Sequence, residues 1–379
     1  MASPAVPRNE RLAAPVRALL IVTLLYLFLV GVGLLEVGIS TLGAGFETRL
    51  LEQVAHPLAG LAAGILATVL VQSSSVSTAT IVGLVGAGTL TLPLAVPMIM
   101  GANIGTTVTS TLAALGSLRN RENFRRAFAG ATMHDMFNLL AVAVLLPLEL
   151  TTGVLSRSAY WLTDILRGTD VAAPGRSPIR TAVKFPVNLI EDMVTSFGAA
   201  SLFSALTLLV FGLTAIFLAL ATITKNMRQL VSGNIERSMN KLVGRGDVVA
   251  GIGVGLMVTV AVQSSTITTS ILVPLVAAGV LTLRNAFPIT LGANVGTTIT
   301  ALLASLAVSR PEGLAIALVH TLFNVFALLL VYPIPAIRWL PVKAASWFAT
   351  KAANNRLLVI VYVAGVFVVF PLVLILTLD

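Results

Sequence analysis

The chain has 379 residues, 57% of them hydrophobic and 10% charged, with a mean hydropathy of +0.98. These values lie far outside the soluble range and exclude a water-soluble globular domain in favour of a polytopic membrane protein. A net charge of +9 would suggest a nucleic-acid partner in a soluble protein, but the basic residues here sit in short segments between apolar stretches, where they set orientation. With no cysteine there is no disulfide framework, thiolate metal site or cysteine nucleophile. In chain order, Arg8, Arg11 and Arg17 precede an apolar run long enough to span, with no small-residue cleavage site, so it reads as a retained first helix. Spans are predicted near 18–37, 91–118, 126–150, 200–224, 282–308, 312–335 and 357–377.

Two more apolar segments, near 56–89 and 250–280, carry the same interruption. The first holds VQSSSVSTAT (Val71 to Thr80) and the second VQSSTITTS (Val262 to Ser270), at a constant offset of 191 residues, Gln72 to Gln263. A polar Gln-Ser-Ser at mid-depth predicts a helical hairpin that enters and leaves on one side. The helix after each hairpin carries G-A-N-[IV]-G-T-T, in Met100 to Thr109 and in Leu291 to Thr300; its glycines and asparagine predict a broken transmembrane helix. Gly64, Thr68, Gly88 and Pro97 recur at the same offset as Gly255, Thr259, Gly279 and Pro288, and His134 to Asn138 recurs as His320 to Asn324.

With a cytoplasmic N-terminus and non-crossing hairpins, only Arg49, Arg157, Arg167, Arg176, Arg180, Lys184 and Arg310 of the 24 basic residues fall outside. That count places the hairpins on opposite sides. The expected fold is therefore an all-α polytopic membrane protein of two inverted-topology repeats. The predicted organisation is a first helix and connector (1–55), repeat 1 (56–150), an external linker, span and cytoplasmic amphipathic segment (151–249), repeat 2 (250–335), and a surface helix with a last span (336–379). Pro174, Gly175 and Pro178 mark a loop in the linker, and amphipathic segments near 225–247 and 338–356 are expected on the inner surface. Trp161, Trp339 and Trp347 suit interfacial positions.

An anion held at mid-membrane is better met by neutral donors than by lysines, whose unpaired charges are expensive once the anion leaves. Hydroxyls of Ser73, Ser74 and Ser75, and of Ser264, Ser265 and Thr266, sit where half-helices begin and present free N–H groups to a tetrahedral oxyanion. Small hard cations need oxygen donors. Gln72, Gln263, Asn103, Asn294, Thr106, Thr107, Thr297 and Thr298 provide them. A lone serine run in a membrane helix is more often structural; its duplication at matched positions favours a site. The GAN-[IV]-GTT runs also fit a packing surface for close helix approach. A membrane hydrolase is disfavoured, since no G-x-S-x-G accompanies the serines.

On the paired QSS runs, the two GAN-[IV]-GTT runs and FRRAFAGATMHDMFN (Phe124 to Asn138), the chain resembles the type II sodium-dependent phosphate cotransporter family of animals and bacteria. The resemblance implies sodium-coupled uptake of inorganic phosphate at an inner (plasma) membrane, with sodium as co-transported ion, no organic cofactor and no transition metal. Phosphate contacts then fall on Gln72, Ser73, Ser74, Ser75, Gln263, Ser264, Ser265 and Thr266. Gln263, Ser264, Thr297 and Thr300 resemble one sodium site, and Thr106, Asp135 and Asn138 resemble residues of others; Gln72, Asn103 and Asn294 complete the sodium candidates. In the family, an acid at the place of Asp135 goes with electrogenic transport. The alternative for Asp135 is an ion pair with Arg125 or Arg126 that only anchors the helix. Rival functions are a sodium-coupled carboxylate or sulfate transporter and an anion channel. The lipid bilayer is an expected partner, nucleic acid is not, and a homodimer is compatible with the reading.

Overall fold

A computed structural model describes residues 14–167, 178–196, 201–243 and 248–378. Its elements are α1 (Ala14–Leu42), α2 (Ala44–Gln53), α3 (Pro57–Val71), α4 (Ser74–Gly86), α5 (Leu92–Gly105), α6 (Val108–Ala114), α7 (Arg121–Thr152), α8 (Val154–Arg167) and α9 (Pro178–Ser196). There follow α10 (Ser201–Val243), α11 (Val248–Val262), α12 (Ser265–Ala277), α13 (Leu283–Ser305), α14 (Glu312–Val331), α15 (Pro335–Arg338), α16 (Leu340–Asn354), α17 (Leu357–Ala364) and α18 (Phe370–Thr377), the last two joined by a π-helical turn. Among the described residues, seven helical spans are long and apolar enough to cross a membrane, at the places predicted from sequence, so this is a multi-pass all-α membrane protein.

The two QSS segments fold alike. Among the described residues, only Gln72 and Gln263 are non-glycine residues at positive φ, both at 56°. A left-handed residue ends a helix at once and costs about 1–2 kcal/mol away from glycine. The next residue, Ser73 or Ser264, is extended and caps the following helix, its hydroxyl oxygen accepting from the N–H of Val76 (3.3 Å) or Ile267 (3.4 Å). Each apolar segment is thereby two helices joined at the glutamine, α3 to α4 and α11 to α12.

Glycines explain how these pairs seat on their neighbours. A Cβ on Gly64 would lie 2.1 Å from the Met98 carbonyl oxygen, and one on Gly101 would lie 2.0 Å from that of Leu61. The second half repeats this, Gly255 against Ile289 and Gly292 against Ile252, both at 1.9 Å. Backbone thus meets backbone where α3 crosses α5 and where α11 crosses α13. Gly64→Ala should destabilise the protein by about 3 kcal/mol, the upper end of overpacking costs, because a carbonyl cannot swing aside as a side chain does. Gly253→Ala, which meets open space on α11, should raise stability slightly, by about 0.5–1 kcal/mol. Thermal unfolding in detergent reads both; equal shifts would contradict this packing.

The same glycines correct one expectation. The first GANIGTT run does break its helix, at Thr106 and Thr107 between α5 and α6, but α13 runs unbroken through GANVGTT. The hydroxyls bond back alike in both runs, Thr297 and Thr298 onto the carbonyls of Ala293 (3.0 Å) and Val295 (2.8 Å) as Thr106 and Thr107 onto those of Ala102 (2.8 Å) and Ile104 (2.7 Å), and the glycines of both runs serve close packing, Gly292 and Gly296 on α11.

The correspondence also reaches further than the motifs. α1 crosses α10 at reciprocal glycines, a Gly31 Cβ meeting Gly212 O at 2.9 Å and a Gly212 Cβ meeting Gly31 O at 2.8 Å. α8 packs on α14, and its counterpart α16 packs on α7. Each half thus lends a flanking helix to the other. The linker carries two helices not predicted from sequence: α8 buries Leu155, Ala159 and Thr163, and α9 buries Val183, Val187 and Val194. Pro174 and Gly175 lie outside the described residues, and Pro178 opens α9. The amphipathic stretch from 225 to 243 continues α10 rather than forming a separate helix, whereas 340–354 is the separate helix α16. Residues 244–247 of that stretch lie outside the described residues.

Candidate functional site

The two glutamine breaks meet. A cavity of about 240 Å³ is lined by Gln72, Ser73, Ser74, Ser75, Gln263, Ser264 and Thr266, with Phe217, Leu220, Ala221 and Thr224 of α10 as its other wall. Ser75 Oγ lies 3.4 Å from the Gln263 carbonyl oxygen, so the starts of α4 and α12 face one space across the repeat boundary. Among the described residues no charged side chain lines it. In each helix the cap takes the third amide, at Val76 and at Ile267, leaving the first two without intrahelical acceptors: Ser74 and Ser75, Ser265 and Thr266. Two positive helix ends thus point at one site, an arrangement suited to an oxyanion. The Ser73 and Ser264 hydroxyls accept from the backbone and still have a proton to donate outward. Of the eight anion candidates only Ser265 does not line the cavity; it is buried, its carbonyl accepting from Thr269 Oγ1 at 3.0 Å.

Both glutamines are held in matching ways. Gln72 Nε2 donates to Val69 O (2.6 Å) while its Oε1 accepts from Thr109 Oγ1 (2.9 Å); Gln263 Nε2 donates to Val260 O (2.7 Å) while its Oε1 accepts from Thr300 Oγ1 (2.9 Å). Gln263 and Thr300 are thereby brought together as a candidate sodium pair. Thr109, the first-repeat counterpart of Thr300, was missed by sequence reasoning although the repeat offset points to it.

Other sodium candidates gather in a buried polar centre between the halves. Asn294 Nδ2 donates to Asn138 Oδ1 (2.7 Å), and Asn138 Nδ2 donates to the Asn103 carbonyl (2.8 Å). That carbonyl is freed by the break, where the Thr107 N–H turns to Ile104 O (3.2 Å). His134 Nε2 lies 2.5 Å from Asn294 Oδ1, and Asn324 Nδ2 donates to Asn103 Oδ1 (3.2 Å). Neither Asn324 nor His134 was among the site candidates, though both lie in the recurring HxxFN block. Thr106 and Thr297 bond back to Ala102 O (2.8 Å) and Ala293 O (3.0 Å).

Asp135 stands apart. Its Oδ2 accepts from Tyr362 Oη (2.8 Å) of α17 and Thr111 Oγ1 (3.1 Å) of α6, while its buried Oδ1 has no hydrogen-bond partner among the described residues. Arg125 and Arg126 pair with Glu122 instead, which removes the anchoring ion pair expected as the alternative. Thr111 and Tyr362 carry no motif signal, and Tyr362 comes from a span outside both repeats.

A family model described as Na+/Pi-cotransporter matches residues 27–157 and 215–332, which hold both QSS segments, both GAN-[IV]-GTT helices and Asp135. The chain belongs to the Na+/Pi-cotransporter family. Relatives within the range of this family include the sodium-dependent phosphate transport protein 2A of Ovis aries, 33% identical over 425 residues, covering 93% of this chain and 66% of the relative. Protein 2A of Rattus norvegicus is 33% identical over 418 residues, covering 92% and 65%, and protein 2B of Homo sapiens is 31% identical over 446 residues, covering 94% and 64%. The chain spans about two thirds of the length of these curated relatives. No solved structure matches.

Proposed function

We propose that this protein is a secondary transporter that couples inward sodium movement to uptake of inorganic phosphate by alternating access, with net charge moved. The observation that carries the reading is the convergence of two capped helix starts on one cavity free of charged side chains. Phosphate is met by hydroxyls and free amides rather than by fixed cations, so the empty site keeps no uncompensated charge. Relatives of this chain are named sodium-dependent phosphate transport proteins.

Sodium bound by Gln263, Ser264, Thr297 and Thr300, and by Thr106, Asp135 and Asn138, supplies the positive field that a divalent anion needs in low dielectric. Coupling is then mutual affinity: each ion raises binding of the other by the same factor. Anion and cations cross with much of their charge cancelled, and the crossed pair of α1 and α10 belongs to the scaffold against which the hairpin core moves.

Binding tests this before any flux is measured. Phosphate should raise the unfolding temperature of the purified protein in sodium buffer, by a stabilisation of about 2.7 kcal/mol at a hundredfold excess over its Kd. In potassium buffer it should do nothing, and neither sulfate nor succinate should replace it. Equal stabilisation in potassium, or by sulfate or succinate, would overturn the proposal.

A further inference from the structure

A second cavity, of about 220 Å³, lies apart from the QSS site at the ends of three helices. Its lining includes Gly251 in the first turn of α11, Arg284 in the first turn of α13, Tyr332 directly after α14, and Arg338 and Trp339 ahead of α16. Among the described residues no acidic side chain lines it. Arg284 stacks over Trp339 at 5.3 Å and has no ion pair or hydrogen bond among the described residues. Arg338 stacks over Tyr332 at 4.8 Å and spends part of its guanidinium on the carbonyls of Tyr332 and Pro333. Phe287, fully buried, packs behind the two aromatic lining residues, its ring 6.3 Å from both Tyr332 and Trp339. Tyr332 is only 8% exposed, yet its hydroxyl has no partner among the described residues.

Two stacked arginines and a buried orphan hydroxyl around one cavity are donors awaiting an anion. The repeat does not account for them. At the offset that relates Pro97 to Pro288, Arg284 and Asn285 correspond to Pro93 and Leu94, and at the offset that relates His134 to His320, Tyr332 corresponds to Leu146. The first half is apolar at each of these places, so the polar set is peculiar to the second half.

The rim indicates the source of the anion. Val249 is 78% exposed, and Val249, Val280 and Leu340, all exposed, adjoin in sequence the lining residues Val248, Leu281 and Trp339. Apolar side chains flanking a basic pocket at a span terminus match a lipid, whose headgroup phosphate and acyl chains leave together. Arg284 and Arg338 also fall on the cytoplasmic side in the orientation given by the basic-residue count, where anionic lipids supply the charge.

We propose that this pocket binds the headgroup phosphate of an anionic glycerophospholipid, with Arg284 and Arg338 as phosphate donors, Tyr332 as a third donor and the exposed rim against the acyl chains. Free inorganic phosphate presents the same oxygens without the chains, and the test separates the two.

Full-length protein delipidated in mild detergent, supplied with phosphatidylglycerol or phosphatidylcholine and weighed by native mass spectrometry, should retain phosphatidylglycerol selectively. Arg284→Gln should weaken that retention about tenfold, the loss of one charge-assisted contact, while Arg119→Gln leaves it unchanged. Should R284Q fail to fold, a Trp161→Phe, Trp347→Phe protein retains Trp339 as its one tryptophan. Its fluorescence should be quenched by phosphatidylglycerol with brominated acyl chains, and relieved by unbrominated phosphatidylglycerol but not by phosphatidylcholine. Equal retention or relief by both lipids, unchanged retention in R284Q, or displacement of the lipid by inorganic phosphate would overturn the proposal.

Discussion

Replacing Ser73 and Ser264 together by alanine should abolish phosphate uptake while leaving the protein folded and inserted. Each serine performs two tasks on one oxygen: it caps its helix through Val76 or Ile267, and it lines the cavity shared by the two halves with a proton left to donate. Losing two caps costs the fold about 2 kcal/mol. That loss falls on helix starts already fixed by backbone packing at Gly64 and Gly255. For the anion the loss is larger. Two hydroxyl donors to a charged group are worth about 3–6 kcal/mol together, roughly a hundred- to ten-thousand-fold in affinity. Ser77→Ala is the matched control, because the Ser77 hydroxyl bonds back to Ser73 O at 3.1 Å and is absent from the cavity lining. Uptake by the double variant should be at background and uptake by the control near normal, with both eluting as folded protein on size exclusion. A folded double variant that transports at the normal rate would refute the role of these serines.

Asp135→Asn should convert voltage-driven transport into transport indifferent to voltage. The carboxylate is buried with no basic partner, and only its Oδ2 is hydrogen-bonded, to Thr111 and Tyr362. A buried anion in that state is costly until a cation joins it. The unpartnered Oδ1 is where sodium would complete the environment of the carboxylate. Asparagine keeps an acceptor for both hydroxyls and removes only the charge. At an effective dielectric of 20, a unit charge 4 Å from sodium contributes about 4 kcal/mol, so the loss should vacate that ion site. Phosphate uptake into vesicles clamped with valinomycin should rise with interior-negative potential for the natural sequence and stay flat for D135N. A variant as voltage-sensitive as the parent would place the moved charge elsewhere.

The spans and both QSS interruptions were legible because their signals are local: long apolar runs, and a polar triplet where none belongs. The convergence of the two triplets was legible only through the repeat, since nothing within either segment says that the other lies opposite. Other features escaped for physical reasons. The break in GANIGTT and its absence from GANVGTT were not legible because the motifs are nearly identical and their threonines bond back alike, Thr106 and Thr107 to Ala102 O and Ile104 O, Thr297 and Thr298 to Ala293 O and Val295 O. The anchoring pair weighed as the alternative for Asp135 is absent because Glu122, one turn from both arginines, pairs with them instead. Tyr362 and the α10 wall of the cavity come from elements without a motif, placed by tertiary packing alone. The helices α8 and α9 had a readable signal: Leu155, Ala159 and Thr163, like Val183 and Val187, repeat at helical spacing in a segment whose proline and glycine drew attention instead.

The most direct test of the account is uptake of radiolabelled phosphate into proteoliposomes holding the purified protein, under an inward sodium gradient or an equal potassium gradient, with unlabelled sulfate and succinate as competitors. Phosphate should accumulate above its external concentration only with sodium, and neither competitor should slow it. Flux that proceeds equally in potassium, that never exceeds equilibrium, or that sulfate or succinate blocks would contradict a sodium-coupled phosphate site at the paired QSS helices.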